Sequence, residues 1–391
     1  MKKTAIPAIL LLTGTAIFAQ QALWGGQEVV SPEIHNDYRV SFRLNAPHAL
    51  KIELTGDFFP AGEQQDSQGT VEMTKNAQGV WEYTTPEPLP SELYSYSFRI
   101  DGVKVTDPAN VHQIRDVASV TSTFLIGGGQ ADLYKVNAVP HGAVTRCWYD
   151  SPGLEMNRRL TVYTPPGYES GGAEYPVFYL LHGAGGDEEA WIALGRTSQI
   201  LDNLIALGRA QPMIVVMANC NAGQEAAPGE SSEGLVRPSF AGTTLMDGRF
   251  EAAFPDIIRF IESNYRVKKD KACRAIAGLS MGGFRSMHIS KQYPDLFDYV
   301  GLFSAVIEPR GEVTSEVFQN TGEKLKVQFA KKPKCYYIAI GNTDFLYQAN
   351  VDFRRKLDEN QYPYLYCETG EGHIWKNWRI YLTKFVPMLF Q

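Results

Sequence analysis

The sequence lacks the patterns that indicate a metal centre or a nucleic-acid interface. Its five cysteines show neither C-x-x-C nor cysteine–histidine spacing, so no zinc or other metal site is expected. No long basic run is present, and a formal net charge of −6 offers little attraction for a polyanion, so nucleic acid is not an expected partner. Because four cysteines lie in or beside apolar runs, buried and inert thiols are predicted at Cys220, Cys273, Cys335 and Cys367.

The N-terminus has no hydrophobic run long enough for a membrane span. Its apolar stretch, Ala5 to Phe18, is shorter than the ~20 residues that a transmembrane helix needs and is interrupted by Pro7 and Gly14. Two lysines precede the stretch and Ala19 ends it, which is typical of a secretory signal peptide. We therefore expect residues 1–19 to be removed and the product to be secreted or periplasmic, without a membrane span.

The chain length of 391 residues suits two domains, and repeats or low-complexity tracts are absent. Between residues 25 and 126, short runs of alternating apolar and polar residues are separated by turn residues, which predicts an all-β sandwich. A glycine-rich stretch with little apolar periodicity, 127–142, is interpreted as a linker. The predicted strands of the sandwich are Tyr38–Leu44, Leu50–Leu54, Trp81–Tyr83 and Tyr94–Ile100.

Several short motifs in this region resemble the family-48 carbohydrate-binding module and related early-set immunoglobulin-like domains. They are Gly79-Val-Trp81, Tyr96-Ser-Phe98, Asp101-Gly102 and Asp107-Pro-Ala-Asn110. The resemblance implies the fold more strongly than it implies glycan binding. Trp81 alternates with Tyr83, which favours a buried position over the exposed one that starch-binding members use. Whether the module binds glycan stays open at this point.

Residues 143–391 change to alternating strands and helices, which predicts an α/β domain with a mostly parallel sheet covered on both faces. Helices are predicted over 250–265 and 282–293 from their apolar periodicity. The polar segment 223–242 is long for a simple connection and is interpreted as a mobile surface loop or a lid. The predicted strands are Val177–Leu181, Met213–Met217, Ala275–Ala277, Val300–Phe303, Tyr336–Ile340 and Tyr364–Cys367.

The motif Gly278-Leu-Ser-Met-Gly282 follows an apolar strand and opens a helix, which is the context that a nucleophile elbow requires. Ser280 is therefore predicted to be a nucleophile at a helix N-terminus, where oriented amides favour negative charge. An oxyanion hole needs two backbone N–H groups. We assign one to Met281 and the other to Ala184, in the glycine-rich motif that begins at His182.

A serine nucleophile needs a base, and in this fold the acid and then the histidine follow it along the chain. His373 lies in a glycine-flanked loop after a predicted strand and is the candidate base. His288 falls within the helix after the elbow and is interpreted as a helix-surface residue. Asp344 directly follows a strand and is the candidate acid, whereas Asp352 and Asp358 fall on the solvated face of the next helix.

These motifs together resemble the esterase D group, and most closely the family-1 carbohydrate esterases. The resemblance implies an α/β-hydrolase fold, a serine esterase mechanism and no metal or organic cofactor. It also implies an ester-decorated, xylan-type polysaccharide as substrate, with feruloyl esters favoured over acetyl esters. Glu371 departs from the family, where glycine is commoner. The motifs are Arg159-Leu-Thr-Val-Tyr163, His182-Gly-Ala-Gly-Gly186 with Trp191, Gly278-Leu-Ser-Met-Gly-Gly283, Gly341-Asn-Thr-Asp344 and Gly372-His373-Ile-Trp375.

Three aromatic residues, Trp191, Tyr347 and Trp375, are candidates for lining the substrate site, and packing in the core is an equal alternative for each. Other functions also stay open. The same group of folds includes acetyl xylan esterases, siderophore-lactone esterases and mycolyl-type acyltransferases. A protein of another class, which binds glycan without hydrolysing it, would not require an intact serine, aspartate and histidine set.

Overall fold

The computed structural model describes residues 29–60, 69–237, 246–309 and 314–391. The predicted signal segment, 1–19, lies outside the described residues. The described chain contains three sheets, two in the N-terminal part and one in the C-terminal part. This arrangement confirms the predicted fold class, an all-β sandwich followed by a mostly parallel α/β domain.

Two sheets pack face to face in the N-terminal part, with strand orders β1-β2-β6-β5 and β4-β3-β7-β10-β9, and β8 pairs with β7. Trp81 lies in the core between them, and its indole N–H donates to the Ala46 carbonyl at 3.0 Å. The strands are β1 (Glu33–Ile34), β2 (Val40–Asn45), β3 (Ile52–Gly56), β4 (Gly69–Glu72), β5 (Thr74–Lys75), β6 (Val80–Thr84), β7 (Glu92–Ile100), β8 (Val103–Val105), β9 (Gln113–Asp116) and β10 (Ser119–Ile126).

The stretch interpreted as a linker has structure of its own. A 3₁₀ helix, Gln130–Tyr134, interrupts it, and the side chains of Ala131 and Tyr134 are fully buried. Asn203 of the next domain donates from Nδ2 to the Leu133 and Lys135 carbonyls at 3.0 and 2.9 Å. The connection is therefore packed against the α/β domain, because its few apolar residues are enough to bury one helical turn.

The third sheet has the order β11-β12-β14-β13-β15-β16-β17-β18, and β15 lies near its centre. The pairs β11–β12 and β12–β14 are antiparallel, and the other five pairs are parallel. Parallel strands of this kind end at one edge of the sheet, so the loops after β13, β15, β17 and β18 meet there. The strands are β11 (Ala143–Ser151), β12 (Met156–Thr164), β13 (Val177–Leu181), β14 (Ile214–Ala218), β15 (Arg274–Leu279), β16 (Tyr299–Phe303), β17 (Cys335–Gly341) and β18 (Leu365–Thr369).

Apolar clusters cover both faces of this sheet, as expected for strands that are buried on both sides. The two predicted helices correspond to α3 and α4 and start one residue earlier than predicted. No helix in the described ranges is long and apolar enough to cross a bilayer. The helices are α1 (Ala190–Ala193), α2 (Thr197–Ala206), α3 (Arg249–Asn264), α4 (Met281–Gln292), α5 (Thr321–Ala330), α6 (Tyr347–Glu359) and α7 (Trp375–Phe385).

The segment interpreted as a mobile loop is described over 223–237, where Ala227 and Glu230 anchor it, and its remainder, 238–242, lies outside the described residues. The buried carboxylate of Glu188 accepts from the Ala227 backbone N–H at 2.8 Å and from Arg159 Nε at 2.7 Å. Glu230 adds an ion pair to Arg159 at 2.8 Å. Because charge-assisted hydrogen bonds hold Ala227 and Glu230 in place, the stretch around these two residues is a fixed wall rather than a free lid.

The five cysteines form no disulfide. Cys220 and Cys335 are buried as predicted, and burial raises the pKa of each thiol to about 11. The prediction is wrong for Cys273 and Cys367, which are partly exposed. Cys273 ends a surface 3₁₀ turn, and Cys367 lies on β18 at the edge of the sheet, where fewer neighbours cover it.

Candidate active site

Ser280 occupies a sharp turn between β15 and α4, with φ and ψ of 53° and −115°. A non-glycine residue with positive φ is uncommon and marks a strained backbone that the surroundings must hold. Two hydrogen bonds do so here, because Ser280 N donates to the Phe303 carbonyl at 2.8 Å and Val306 N donates to the Ser280 carbonyl at 3.2 Å. The turn therefore fixes the serine at the carboxyl end of a central strand.

The glycines on either side of Ser280 are required by close backbone contacts. A Cβ atom on Gly278 would lie 2.4 Å from the Gly282 carbonyl carbon, and one on Gly282 would lie 2.3 Å from the Leu181 oxygen. Both distances are far below a normal van der Waals contact. The two glycines therefore let α4 start directly beside the loop that follows β13, which is how the elbow and the glycine-rich loop come together.

His373 and Asp344 come together although 29 positions separate them in the chain. His373 Nδ1 lies 2.9 Å from Asp344 Oδ2, and the aspartate side chain is completely buried. The other oxygen, Asp344 Oδ1, accepts from the Leu346 backbone N–H at 2.9 Å. Since a carboxylate only accepts, it fixes the imidazole with the proton on Nδ1, which leaves Nε2 as the basic nitrogen.

The loop that carries His373 is held by the side chain of Asn377, whose Nδ2 donates to the Gly370 and Gly372 carbonyls at 3.0 and 2.9 Å. Glu371 lies between these glycines with a φ of 67°. A left-handed backbone favours glycine, which is a physical reason for the commoner residue of the family at this position. The Glu371 carboxylate forms an ion pair with Lys376 in the first turn of α7.

The two predicted oxyanion donors lie on the two segments that meet at the elbow. Met281 is the first residue of α4, and Ala184 lies in the loop after β13 and lines the same cleft as Ser280. Within the described ranges, neither backbone N–H donates to another backbone carbonyl or side chain. Both groups are therefore free to bind an oxygen of a ligand, although their role as an oxyanion hole stays a prediction.

His182 is held in a single neutral form within the glycine-rich loop. Its Nδ1 lies 2.7 Å from the Gly183 carbonyl, and its Nε2 accepts from the Cys220 backbone N–H at 2.8 Å. Burial, aided by the charge of Arg285, lowers the pKa of His182 to about 3. A ring with both nitrogens engaged cannot serve as a base, so His182 has a structural role in this loop.

His288 is also excluded as a base, but for a different reason from the predicted one. It is not on the helix surface: its side chain is 1% exposed and packs between the rings of Phe284 and Phe318, at centroid distances of 4.3 and 4.7 Å. Burial lowers its pKa well below the usual value. The helix α4 is covered on its outer side by the segment around Phe318, which the periodicity of α4 alone does not reveal.

Ser280 and His373 line one open cleft of about 1820 Å³, together with Ala184 and Trp375. Three further aromatic residues that the sequence analysis did not select as site residues also line it: Tyr94 of the N-terminal module, Phe345 and Trp378. The Phe345 and Trp378 rings lie 4.6 and 5.0 Å from the His373 ring. Phe345 directly follows Asp344 in the sequence, and this position beside the candidate acid could have identified it as a cleft residue.

Of the three aromatic residues predicted to contact substrate, only Trp375 lies on the surface of the cleft. Trp191 is 1% exposed, and its indole N–H donates to the Leu181 carbonyl at 2.9 Å. It packs edge-on behind Trp375, with centroids 5.3 Å apart, and so supports the cleft from within the core. Tyr347 is not among the cleft residues, and its hydroxyl donates to Glu368 at 2.8 Å. The structure therefore places neither Trp191 nor Tyr347 on the cleft surface.

A strained serine at a strand-to-helix turn, which shares a cleft with a histidine paired to a buried aspartate on a mostly parallel sheet, defines a serine ester hydrolase with the α/β-hydrolase fold. Comparison with known families agrees with this class. The chain belongs to the Esterase family, whose model matches residues 151–389. Residues 29–112 match the model of carbohydrate-binding module 48, the isoamylase N-terminal domain. Both matches confirm the resemblances that the sequence motifs carry.

Among curated proteins, the chain is 31% identical over 290 residues to an endo-1,4-beta-xylanase/feruloyl esterase of Xylanibacter ruminicola. That alignment covers 71% of this chain and 36% of the relative. An esterase of Mycobacterium tuberculosis is 28% identical over 208 residues, which cover 52% of this chain and 40% of the relative. The chain thus spans only about two fifths or less of the length of these two relatives.

Among solved structures, a ferulic acid esterase from Anaeromyces mucronatus in complex with ferulic acid is similar with a TM-score of 0.57 and 25% identity. The match covers 67% of this chain and 96% of that one. The enterobactin esterase of Shigella flexneri matches with a TM-score of 0.63 over 89% of this chain and 92% of its own, at 16% identity. At that identity the second likeness shows the fold alone.

Proposed function

We propose that this protein is an exported esterase that hydrolyses feruloyl, or more generally hydroxycinnamoyl, esters on xylan-type polysaccharide. The observation that carries the proposal is the short contact between His373 Nδ1 and the buried Asp344 beside a cleft that also contains Ser280 and aromatic side chains. Export is supported by the signal-like pattern of residues 1–19. The chemistry requires no metal or organic cofactor.

In the proposed reaction, Ser280 Oγ attacks the ester carbonyl carbon while Nε2 of His373 removes the hydroxyl proton. The carbonyl oxygen becomes negatively charged and accepts from the N–H groups of Met281 and Ala184. Collapse of this intermediate breaks the bond to the sugar oxygen, which takes the proton from His373 and leaves. Water then attacks the acyl-enzyme with His373 again as base, and releases the acid and free Ser280. Asp344 stabilises the imidazolium in both halves.

The aromatic side chains around His373 support an aromatic acyl group over acetyl. Phe345, Trp375 and Trp378 line the cleft, and their faces and edges suit a planar phenolic ring. An acetyl group would leave most of this apolar surface exposed to water. The names of relatives agree with this choice, because one combines xylanase and feruloyl esterase and a structural neighbour was solved with ferulic acid.

The proposal is tested by assaying the mature protein on methyl ferulate, feruloylated arabinoxylan and acetylated xylan. We expect release of ferulate that is lost in Ser280→Ala, because the serine hydroxyl is the group that forms the acyl-enzyme. Ser290→Ala is the matched control, since this serine lies almost three turns along α4 from Ser280 and its hydroxyl donates to the Met287 carbonyl. It should retain parental rates.

Other outcomes point to the alternatives that the sequence left open. Release of acetate alone would favour an acetyl xylan esterase. Hydrolysis of a catecholate trilactone, without release of ferulate, would favour a siderophore-lactone esterase. Glycan binding without turnover of any ester would favour a non-catalytic role and would contradict the proposal.

A further inference from the structure

We propose that the N-terminal module forms one wall of the catalytic cleft and binds the sugar side of the ester, with Val117 as a substrate-contacting specificity residue. The inference rests on the proposed function and deepens it. It differs from the exposed-tryptophan binding of starch-binding modules, because Trp81 is buried in the core of this module. The glycan contact is instead on the face that the module turns toward Ser280.

The cleft over Ser280 is built by both domains. Residues of β3, β4, β7 and β8 and of the β9–β10 hairpin line the same continuous space as Ser280 and His373. The module is held against the esterase domain by a buried ion pair, in which Arg379 Nη2 of α7 lies 2.9 Å from Glu92 of β7. The same nitrogen donates to the Leu93 carbonyl at 2.8 Å. The module is therefore positioned as a fixed part of the site.

The tip of the β9–β10 hairpin has an unusual backbone. Asp116 pairs with Ser119, so Val117 and Ala118 form a two-residue turn, and Val117 has a φ of 51°. Turns of this length favour glycine or asparagine at such a position, and a β-branched residue there is a genuine outlier. Backbone strain of this kind clusters at ligand-binding sites. Here the strained residue is one that lines the cleft.

Two hydrogen bonds from one guanidinium hold this hairpin tip in place. Arg115 Nη1 donates to the Val117 carbonyl at 3.1 Å, and Arg115 Nη2 donates to Asp187 Oδ2 at 2.6 Å. The Asp187 side chain is 3% exposed and belongs to the loop that follows β13, close to Ala184. The strained turn is thus tied to the loop that carries a predicted oxyanion donor, and Val117 has a defined position relative to the reacting ester.

The chemistry of the module wall suits a sugar rather than an aromatic acid. Thr55 and Thr70 are direct cross-strand partners, and their hydroxyls lie 3.2 Å apart. Arg99 and Lys104 are paired beside them on β7 and β8. Hydroxyl and cationic groups donate hydrogen bonds to sugar hydroxyls, and the methyl groups of Val117 pack on the C–H face of a ring. The acyl group would bind instead to the aromatic side chains beside His373, which are Phe345, Trp375 and Trp378.

The test uses Val117→Gly in the full chain. Glycine relieves the strained backbone and removes the side chain, so we expect the unfolding midpoint to rise or stay level. We also expect kcat/KM on feruloylated arabinoxylo-oligosaccharide to fall about tenfold, the typical effect of lost apolar contact. The value on methyl ferulate, which has no sugar, should stay within about twofold. A purely structural residue would not separate the two substrates.

Matched variants complete the experiment. Val120→Ala changes an exposed valine of β10 that does not line the cleft. It should leave kcat/KM on both substrates unchanged. Thr70→Val keeps the shape of a side chain on the wall and removes its hydroxyl. It should therefore lower kcat/KM on the feruloylated oligosaccharide and leave kcat/KM on methyl ferulate unchanged. An unchanged ratio of the two kcat/KM values in both Val117→Gly and Thr70→Val would overturn the proposal.

A binding measurement separates this inference from the proposed reaction. Calorimetry with unesterified arabinoxylo-oligosaccharide compares Ser280→Ala with Ser280→Ala/Val117→Gly. Weaker binding in the double variant supports the module wall, even if no ester is hydrolysed by the parent and the proposed function fails. Equal binding by the two variants, or no binding by either, would overturn the proposal that the module binds the sugar. Any measured release of ferulate would still support the proposed esterase function.

Discussion

His373 Nδ1 lies 2.9 Å from Oδ2 of Asp344, and this carboxylate has no exposed surface. A buried aspartate is stable as an anion only where donors satisfy its oxygens, and the imidazole N–H and the Leu346 backbone N–H do so here. The loop after β17 supplies the acid, and the loop after β18 supplies the base. Each side chain provides a hydrogen-bond partner that the other needs, so the fold of the two loops determines the geometry of the pair.

The first prediction follows from this pair. Asp344→Asn keeps the size of the side chain but presents an N–H₂ group or a neutral oxygen to His373, which destabilises the productive tautomer and the imidazolium. We expect kcat on methyl ferulate to fall by about 10³- to 10⁴-fold, as for other serine hydrolases with this change. Asp352→Asn is the control, because Asp352 lies on the exposed face of α6 in an ion pair with Arg355. A comparable fall in kcat for both variants would show that Asp344 has no specific role in the mechanism.

The sequence predicts the buried strands of the α/β domain well because their signal is local. Val177–Leu181 is five consecutive apolar residues and is β13 without a change of bounds. By contrast, β11 (Ala143–Ser151) is an edge strand whose side chains are mostly exposed or half-buried, so it has no apolar run to recognise. The glycine-flanked elbow is also a local feature, because its close contacts restrict residue type within a few positions.

Features that depend on distant contacts were missed. The β9–β10 hairpin turns at Val117 and Ala118, which lack the glycine or asparagine that marks such turns, so its tip left no local signal. From the sequence, Trp191 and Trp375 are equally good candidates for a substrate contact. Tertiary packing buries the first and places the second on the surface of the cleft. His288 was misplaced because the cover over α4 comes from a later segment.

A second prediction separates the two tryptophans. Trp191→Phe removes buried volume and the hydrogen bond to the Leu181 carbonyl, and we expect the free energy of unfolding to fall by on the order of 2 kcal/mol. Trp375→Ala should instead lower kcat/KM on methyl ferulate about tenfold, with a smaller loss of stability. Denaturant unfolding and steady-state kinetics on both variants check this. A stable Trp191→Phe with a large kinetic defect would restore Trp191 as a substrate contact.

A third prediction concerns the left-handed backbone at Glu371. Glu371→Gly removes a strain of about 1–2 kcal/mol for a non-glycine residue, offset partly by the greater freedom of glycine in the unfolded chain. The exposed ion pair with Lys376 contributes little. We expect the free energy of unfolding to rise by up to about 1 kcal/mol. Glu371→Ala loses the same carboxylate but keeps the strained φ, so an equal gain in the alanine variant would show that backbone strain is not the cause.

The last prediction is a pH dependence that originates at Asp57, on the module side of the cleft. Burial raises the pKa of this carboxyl from 3.8 to about 7, opposed by the Ser95 backbone N–H and by the charge of Arg379, while Glu92 raises it further and Lys376 lowers it. Below about pH 4 the carboxyl is protonated in both the folded and the unfolded chain. Between pH 4 and 7 the unfolded chain loses this proton first, so stability falls as pH rises, and the penalty is constant above pH 7.

Asp57→Asn removes this penalty and keeps an oxygen for the Ser95 N–H, which lies 2.9 Å from Asp57 Oδ1. The difference in unfolding free energy between the variant and the parent should be small at pH 4, grow up to pH 7 in favour of the variant, and then level off. Urea unfolding at half-unit steps of pH measures it. Asp150→Asn, at an exposed aspartate of β11, should give a flat difference over the same range. A flat difference for Asp57→Asn as well would show that this carboxyl is ionised in the folded protein, and that the cleft beside it is as well hydrated as open solvent.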